Sequence, residues 1–78
     1  MRVNVRLEGH LPQYTGTREM TLDLEPGATL RDLVAFLKIP PGEAGSAYLD
    51  GKGALPTARL HDGSRVELFP PVGGGEAR

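Results

Sequence analysis

Apolar and polar residues alternate from the first position of the chain. Met1, Val3, Val5 and Leu7 interleave with Arg2, Asn4, Arg6 and Glu8, and a period of two predicts a strand with one buried face. Gly9–Gly16 is turn chemistry. A second alternation sets Met20, Leu22 and Leu24 against Glu19, Thr21, Asp23 and Glu25. Two strands joined in this way predict an antiparallel hairpin with a long loop rather than a tight turn. Pro26-Gly27 ends it. The period then changes: Leu30, Leu33, Val34 and Leu37 fall at i, i+3, i+4 and i+7, a helical stripe. Thr29 stands three residues before Asp32, a variant of the capping box, which prefers Glu or Gln at that offset. Pro40-Pro41-Gly42 cannot continue a helix, so the predicted helix covers residues 29 to 38 or so. Neither hairpin nor helix can bury its apolar side alone, so the two must pack together.

Past the helix, Ala47-Tyr48-Leu49 precedes a turn signal, Asp50-Gly51-Lys52-Gly53. Ala54-Leu55 reads as a short edge piece broken by Pro56, and Leu60-His61-Asp62-Gly63 as another turn. Arg65–Phe69 is the last strand, with Val66 and Leu68 on one face. The order predicts an α+β roll: one main helix on one mixed sheet, the first and last strands side by side at its centre. Phe36 lies off the helical stripe and is expected at the edge of the core. The domain is expected to end at residue 70, with residues 71–78 forming a flexible, glycine-rich tail.

Composition narrows the possible functions. Seventy-eight residues make one small domain, too small for a multi-domain enzyme or a deep cofactor pocket. Nine basic residues against ten acidic ones give a net charge of −1, without the basic stripe of a nucleic-acid binder. Cysteine is absent, which removes disulfides, thiolate metal sites and thiol nucleophiles. No apolar run reaches the ~20 residues of a membrane span. The alternation starting at residue 1 is unlike a secretory leader, so the cytoplasm is the expected compartment.

Candidate chemistry in the body of the chain is thin. His61, Asp62 and Ser64 have the residue types of a nucleophilic triad, but they crowd one turn, whereas triad members converge from separate elements. A polar hairpin turn is the expectation. His10 and His61 lack the clustered carboxylates or thiolates of a metal site. Asp50-Gly51-Lys52-Gly53 has neither the spacing of a calcium loop nor the length of a phosphate loop. The ending differs in kind. Pro70-Pro71 enforces extended backbone without donors, and Gly73-Gly74-Gly75 has no side chain to pack. Either this is an unstructured end, or backbone without side chains is there to thread a narrow channel in another enzyme.

The run Asp62-Gly63-Ser64-Arg65-Val66-Glu67-Leu68-Phe69-Pro70-Pro71-Val72-Gly73-Gly74-Gly75 resembles the C-terminal signature of the ubiquitin-like sulfur carriers. These are the small subunit of molybdopterin synthase and the thiamine-biosynthesis carrier. Pro26–Leu33 before the helix and Tyr48-Leu49-Asp50-Gly51 add to the likeness, which spans residues 1–75. It implies a β-grasp roll, in agreement with the element order. It also implies a carrier that catalyses nothing itself and holds no cofactor or metal of its own. An E1-like adenylating enzyme, using ATP, would activate a terminal glycine carboxylate. Sulfur would then displace AMP to give a thiocarboxylate, and an acceptor such as the large subunit of molybdopterin synthase would take the sulfur. Carried over, Gly75 is the reacting residue, and Gly73 and Gly74 are the threading segment. The ending leans towards the pterin cofactor over thiamine. This sequence departs from the pattern where Glu76-Ala77-Arg78 follow, because the Gly75 carbonyl is then an amide with no carboxylate to attack ATP. A peptidase removes these three residues, or carrier activity has been lost, or activation occurs at Arg78. The other class of function left open is a β-grasp binding module or protein modifier without sulfur donation.

Overall fold

The computed structural model of the protein describes residues 1–71. Five strands and one α-helix follow in the order β1 (Arg2–Leu7), β2 (Glu19–Asp23), α1 (Leu30–Phe36), β3 (Ser46–Leu49), β4 (Lys52–Ala54) and β5 (Arg65–Phe69), with 3₁₀ turns at Leu11–Tyr14 and Pro41–Glu43. The sheet order is β2-β1-β5-β3-β4. β1 and β5 run parallel, with Val5 beside Val66, and every other pairing is antiparallel. The sheet is therefore mixed, and the first and last strands meet at its centre, as the alternation predicts. This is a β-grasp roll.

Period-two alternation works because successive side chains in a strand point to opposite faces. Val3, Val5, Leu7, Val66 and Leu68 are all buried on the side facing α1. The helix answers with Leu30, Leu33 and Leu37, while Val34 is only half-buried. Each fully buried leucine or valine contributes about 1.5–3 kcal/mol, so the three helix leucines supply much of what holds α1 on the sheet.

Local chemistry fixes both ends of α1. The Asp32 backbone N–H donates to the Thr29 hydroxyl at 3.2 Å, and Asp32 Oδ2 accepts from the Thr29 N–H at 2.9 Å. The capping box therefore closes with Asp in place of Glu or Gln. The helix ends earlier than the prolines dictate. Lys38 turns into the left-handed region at φ 59°, its N–H donates to the Ala35 carbonyl, and the Ile39 N–H donates back to the Val34 carbonyl. That is a Schellman ending with lysine where glycine is usual. Ile39 then inserts into the core.

Three sequence expectations are corrected in detail. The turn read over residues 50–53 is only Asp50-Gly51, both at positive φ (52° and 85°), which is the geometry of a two-residue hairpin turn. Lys52 and Gly53 already belong to β4, and Leu55 lies outside it, 72% exposed. Leu11 and Leu60, in segments read as turns, are core residues; Leu11 is fully buried by the 3₁₀ turn. Phe36 is 57% exposed and not an edge-of-core residue, because at roughly 100° per residue it lies about a quarter turn round the helix from the Leu30-Leu33-Leu37 stripe.

Candidate functional site

Strand β5 carries the chain through the centre of the sheet to Phe69 and hands it to Pro70-Pro71, so the chain leaves the body between two loops. One follows β1. The Glu8 N–H donates to the Leu68 carbonyl at 2.9 Å, and Gly9 turns at φ 59° directly against the Pro70 ring. A Cβ on Gly9 would sit 2.6 Å from Pro70 Cγ. The other loop precedes β3. The Gly45 N–H donates to the Phe69 carbonyl at 2.8 Å. A Cβ on Gly45 would sit 2.8 Å from the Pro70 carbonyl carbon, and closer still to Pro71. Glycine is needed at both positions because the loop backbone touches the departing chain. His10 Nε2 and Glu43 Oε1, 2.8 Å apart, tie the two loops together. The result is a collar around Pro70-Pro71.

Beside the collar lies the outer face of the sheet, the side away from α1. Cross-strand register sets Glu19, Arg6, Glu67 and Tyr48 in one row. Arg6 bridges Glu8, whose Oε2 is 2.7 Å from Nε, and Glu19. The Glu8 hydrogen bond and charge, and then the Glu19 charge, hold the Arg6 guanidinium above even its ordinary high pKa, so it remains a cation. Tyr48 packs edge-on to Phe69 with centroids 5.5 Å apart, and Tyr48 is 39% exposed. Together with Glu8, Glu67 and the two prolines, this aromatic pair lines a shallow depression of about 690 Å³. Acidic and aromatic groups thus surround the exit.

The tail residues assigned from the sequence, Gly73, Gly74 and Gly75, lie outside the described residues. His61, Asp62 and Ser64 do form a turn. The Ser64 hydroxyl is 1% exposed and accepts from the His61 backbone N–H at 2.9 Å, while Asp62 Oδ1 accepts from the Arg2 N–H at 2.7 Å. These oxygens serve the backbone and not a nucleophile. The histidines lie apart, His10 Nε2 2.8 Å from Glu43 Oε1 and His61 Nε2 3.6 Å from Asp50 Oδ2, and no group of three or more potential metal ligands occurs among the described residues. No described helix is long and apolar enough to cross a membrane. Sequence reading missed the collar glycines. The available signal was a glycine at the end of β1 and another just before β3, on the two strands that flank β5.

A β-grasp roll whose central last strand is followed in sequence by a proline pair and three glycines is the arrangement of the ubiquitin-like sulfur-carrier family. The chain belongs to the ThiS family, whose sequence profile matches residues 5–75. Among solved structures it is similar to the putative molybdopterin converting factor subunit 1 of Pyrococcus furiosus, with 27% identity over 91% of this chain and 98% of that one and a TM-score of 0.74. It is also similar to a chain of the complex between subunits 1 and 2 of the molybdopterin-converting factor from Helicobacter pylori, with 25% identity over 96% and 100% and a TM-score of 0.63. Small archaeal modifier protein 1 of Haloferax volcanii shares the fold, with a TM-score of 0.76 at 20% identity over 91% and 98%. No curated protein matches at a significant level.

Proposed function

We propose that this chain carries sulfur as a thiocarboxylate on Gly75, exposed by removal of Glu76-Ala77-Arg78. The observation that carries this reading is that the family similarity extends to residue 75, the third glycine. The chemistry needs a free carboxylate there. Peptidase cleavage after Gly75 supplies it. An E1-like partner lets one carboxylate oxygen attack the α-phosphorus of ATP, releasing pyrophosphate, and a hydrosulfide-level sulfur then displaces AMP to leave –COS⁻. Gly73 and Gly74 offer no Cβ to obstruct a narrow channel. The partner that draws in the tail covers the surface around the exit, where Tyr48, Phe69, Glu8 and Glu67 stand. Aromatic groups of this kind anchor interfaces. The Helicobacter pylori complex of the two molybdopterin-converting subunits supports a synthase-type acceptor and hence a pterin product. The carrier is a co-substrate of its partners, and ATP is consumed by the activating enzyme in the cytoplasm.

The same acyl adenylate can be attacked by a lysine amine instead of sulfur, which would make the chain a protein modifier. The test is intact mass. The full chain is exposed to source-cell extract, then the product is given ATP, its activating enzyme and sulfide. Loss of the last three residues, followed by exchange of one oxygen for sulfur, is the expected result. Lysine-linked adducts without a thiocarboxylate would replace the carrier reading with the modifier one. A chain ending at Gly75 that never accepts AMP would overturn both.

A further inference from the structure

Helix α1 has a second stripe beside the one that enters the core. Arg31, Val34, Ala35 and Lys38 also repeat at i, i+3, i+4 and i+7, with Lys38 just past the helix end. They form one wall of a groove of about 500 Å³ that runs between α1 and the β3–β4 edge of the sheet. Opposite them stand Ala47 and Ala54, cross-strand partners, with Ala44 and Pro56 nearby. The cause of the groove is visible in the sequence: alanine occupies positions where larger side chains would close the gap between helix and sheet. The lining is mostly apolar, with two cations, Arg31 and Lys38, and no carboxylate. Neither Arg31 nor Lys38 joins an ion pair among the described residues.

We infer that this groove docks an acidic amphipathic helix of a partner protein. Arg31 on the helix and Lys38 just past its end are two separate cations on the groove's lining, and they ask for two separated anions, not a single headgroup. A partner helix lying along the groove would offer one to each from carboxylates at i and i+7, about 10 Å apart along its axis. Apolar side chains at i+3 and i+4 then point into the alanine-lined trough, the usual helix-in-groove arrangement. An extended peptide added to the sheet edge fits less well, because β4 has only three residues to pair with it. The groove is on the helix side of the sheet, opposite the aromatic face, and only its Gly45-Ser46 end reaches the collar. The inference rests on the groove's own lining and does not depend on sulfur transfer.

The test is an NMR titration of the ¹⁵N-labelled full chain. The probe is a synthetic helical peptide of about 18 residues, Ala/Gln-based, with Glu at i and i+7 and Leu at i+3 and i+4. Saturable amide shifts are expected at Val34, Ala35, Ala47 and Ala54, with affinity falling as salt rises. The variant R31E/K38E, changed only at exposed positions, should melt like the parent yet bind the peptide about tenfold or more weakly. It should instead prefer a peptide with Lys in place of Glu. No saturable shift, shifts confined to Arg6, Tyr48 and Phe69, or binding indifferent to the charge reversal would each overturn the inference.

Discussion

Substituting Gly45 by alanine tests the collar directly. Gly45 does not need a left-handed backbone, since its φ lies outside the positive range, so the only cost of a methyl group there is steric. That cost falls on backbone: the added carbon meets the Pro70 carbonyl carbon and the Pro71 N and Cα, none of which can swing away like the end of a long side chain. Overpacking of this kind costs about 1–3 kcal/mol, partly offset by about 0.4–1 kcal/mol because alanine restricts the unfolded chain. A 78-residue domain has a total stability of roughly 4–12 kcal/mol, so the net loss is a sizeable share of it. Because the clash is with fixed backbone, the upper half of the net range of about 0–2.6 kcal/mol applies, and at about 4–8 °C per kcal/mol for this size G45A should melt about 5–20 °C below the parent. G42A is the control, because a Cβ there meets nothing within 4 Å; its melt should be unchanged or slightly raised. Thermal and urea denaturation of the three proteins decides the matter. If G45A melts within a degree of G42A, Gly45 does not abut the departing chain and the collar is wrongly drawn.

Leu33→Asp should abolish the cooperative melt, because an unpaired carboxylate would be forced into the core at a fully buried position; circular dichroism checks this, and Leu33→Ala should cost about 2–5 kcal/mol. Thr29→Ala removes the hydroxyl half of the capping box and should cost about 0.5–2 kcal/mol in urea denaturation. Lys38→Gly should stabilise by about 0.5–1 kcal/mol, since glycine takes the left-handed Schellman position without a Cβ penalty; an equal or lower melting temperature would contradict the φ of 59°. Ser64→Ala leaves the part-buried His61 N–H without its acceptor and should cost about 0.5–1.5 kcal/mol, measurable as a shift in the urea midpoint.

Much of the fold was legible because period-two and period-3.6 patterns are direct images of burial. Val3-Val5-Leu7 and Leu30-Leu33-Leu37 announced both faces of the core and the pairing of its central strands. Residues in irregular segments were not legible. Leu11 and Leu60 are buried by non-local packing and by a 3₁₀ turn that leave no period in the sequence. The early helix end was hidden for a similar reason: a lysine in the left-handed region has no sequence signal, whereas the prolines two and three residues later have a strong one. Of the candidate site, the glycines assigned from the sequence, Gly73, Gly74 and Gly75, lie outside the described residues. The collar was not legible, because a glycine required by contact with a distant proline looks the same as one required by a turn.

The central position of β5 also governs when the collar can form. β5 is the last strand made, yet it separates β1 from β3, and Leu68 and Val66 complete the core. Its pairing with β1 joins residues some sixty positions apart, so the contact order of this little domain is high and its folding must wait for nearly the whole chain. The two loops that grip Pro70-Pro71 can approach each other only once β5 lies between their strands. A chain cut before β5 therefore loses the central strand, the core residues Val66 and Leu68 and the grip on Pro70-Pro71 together.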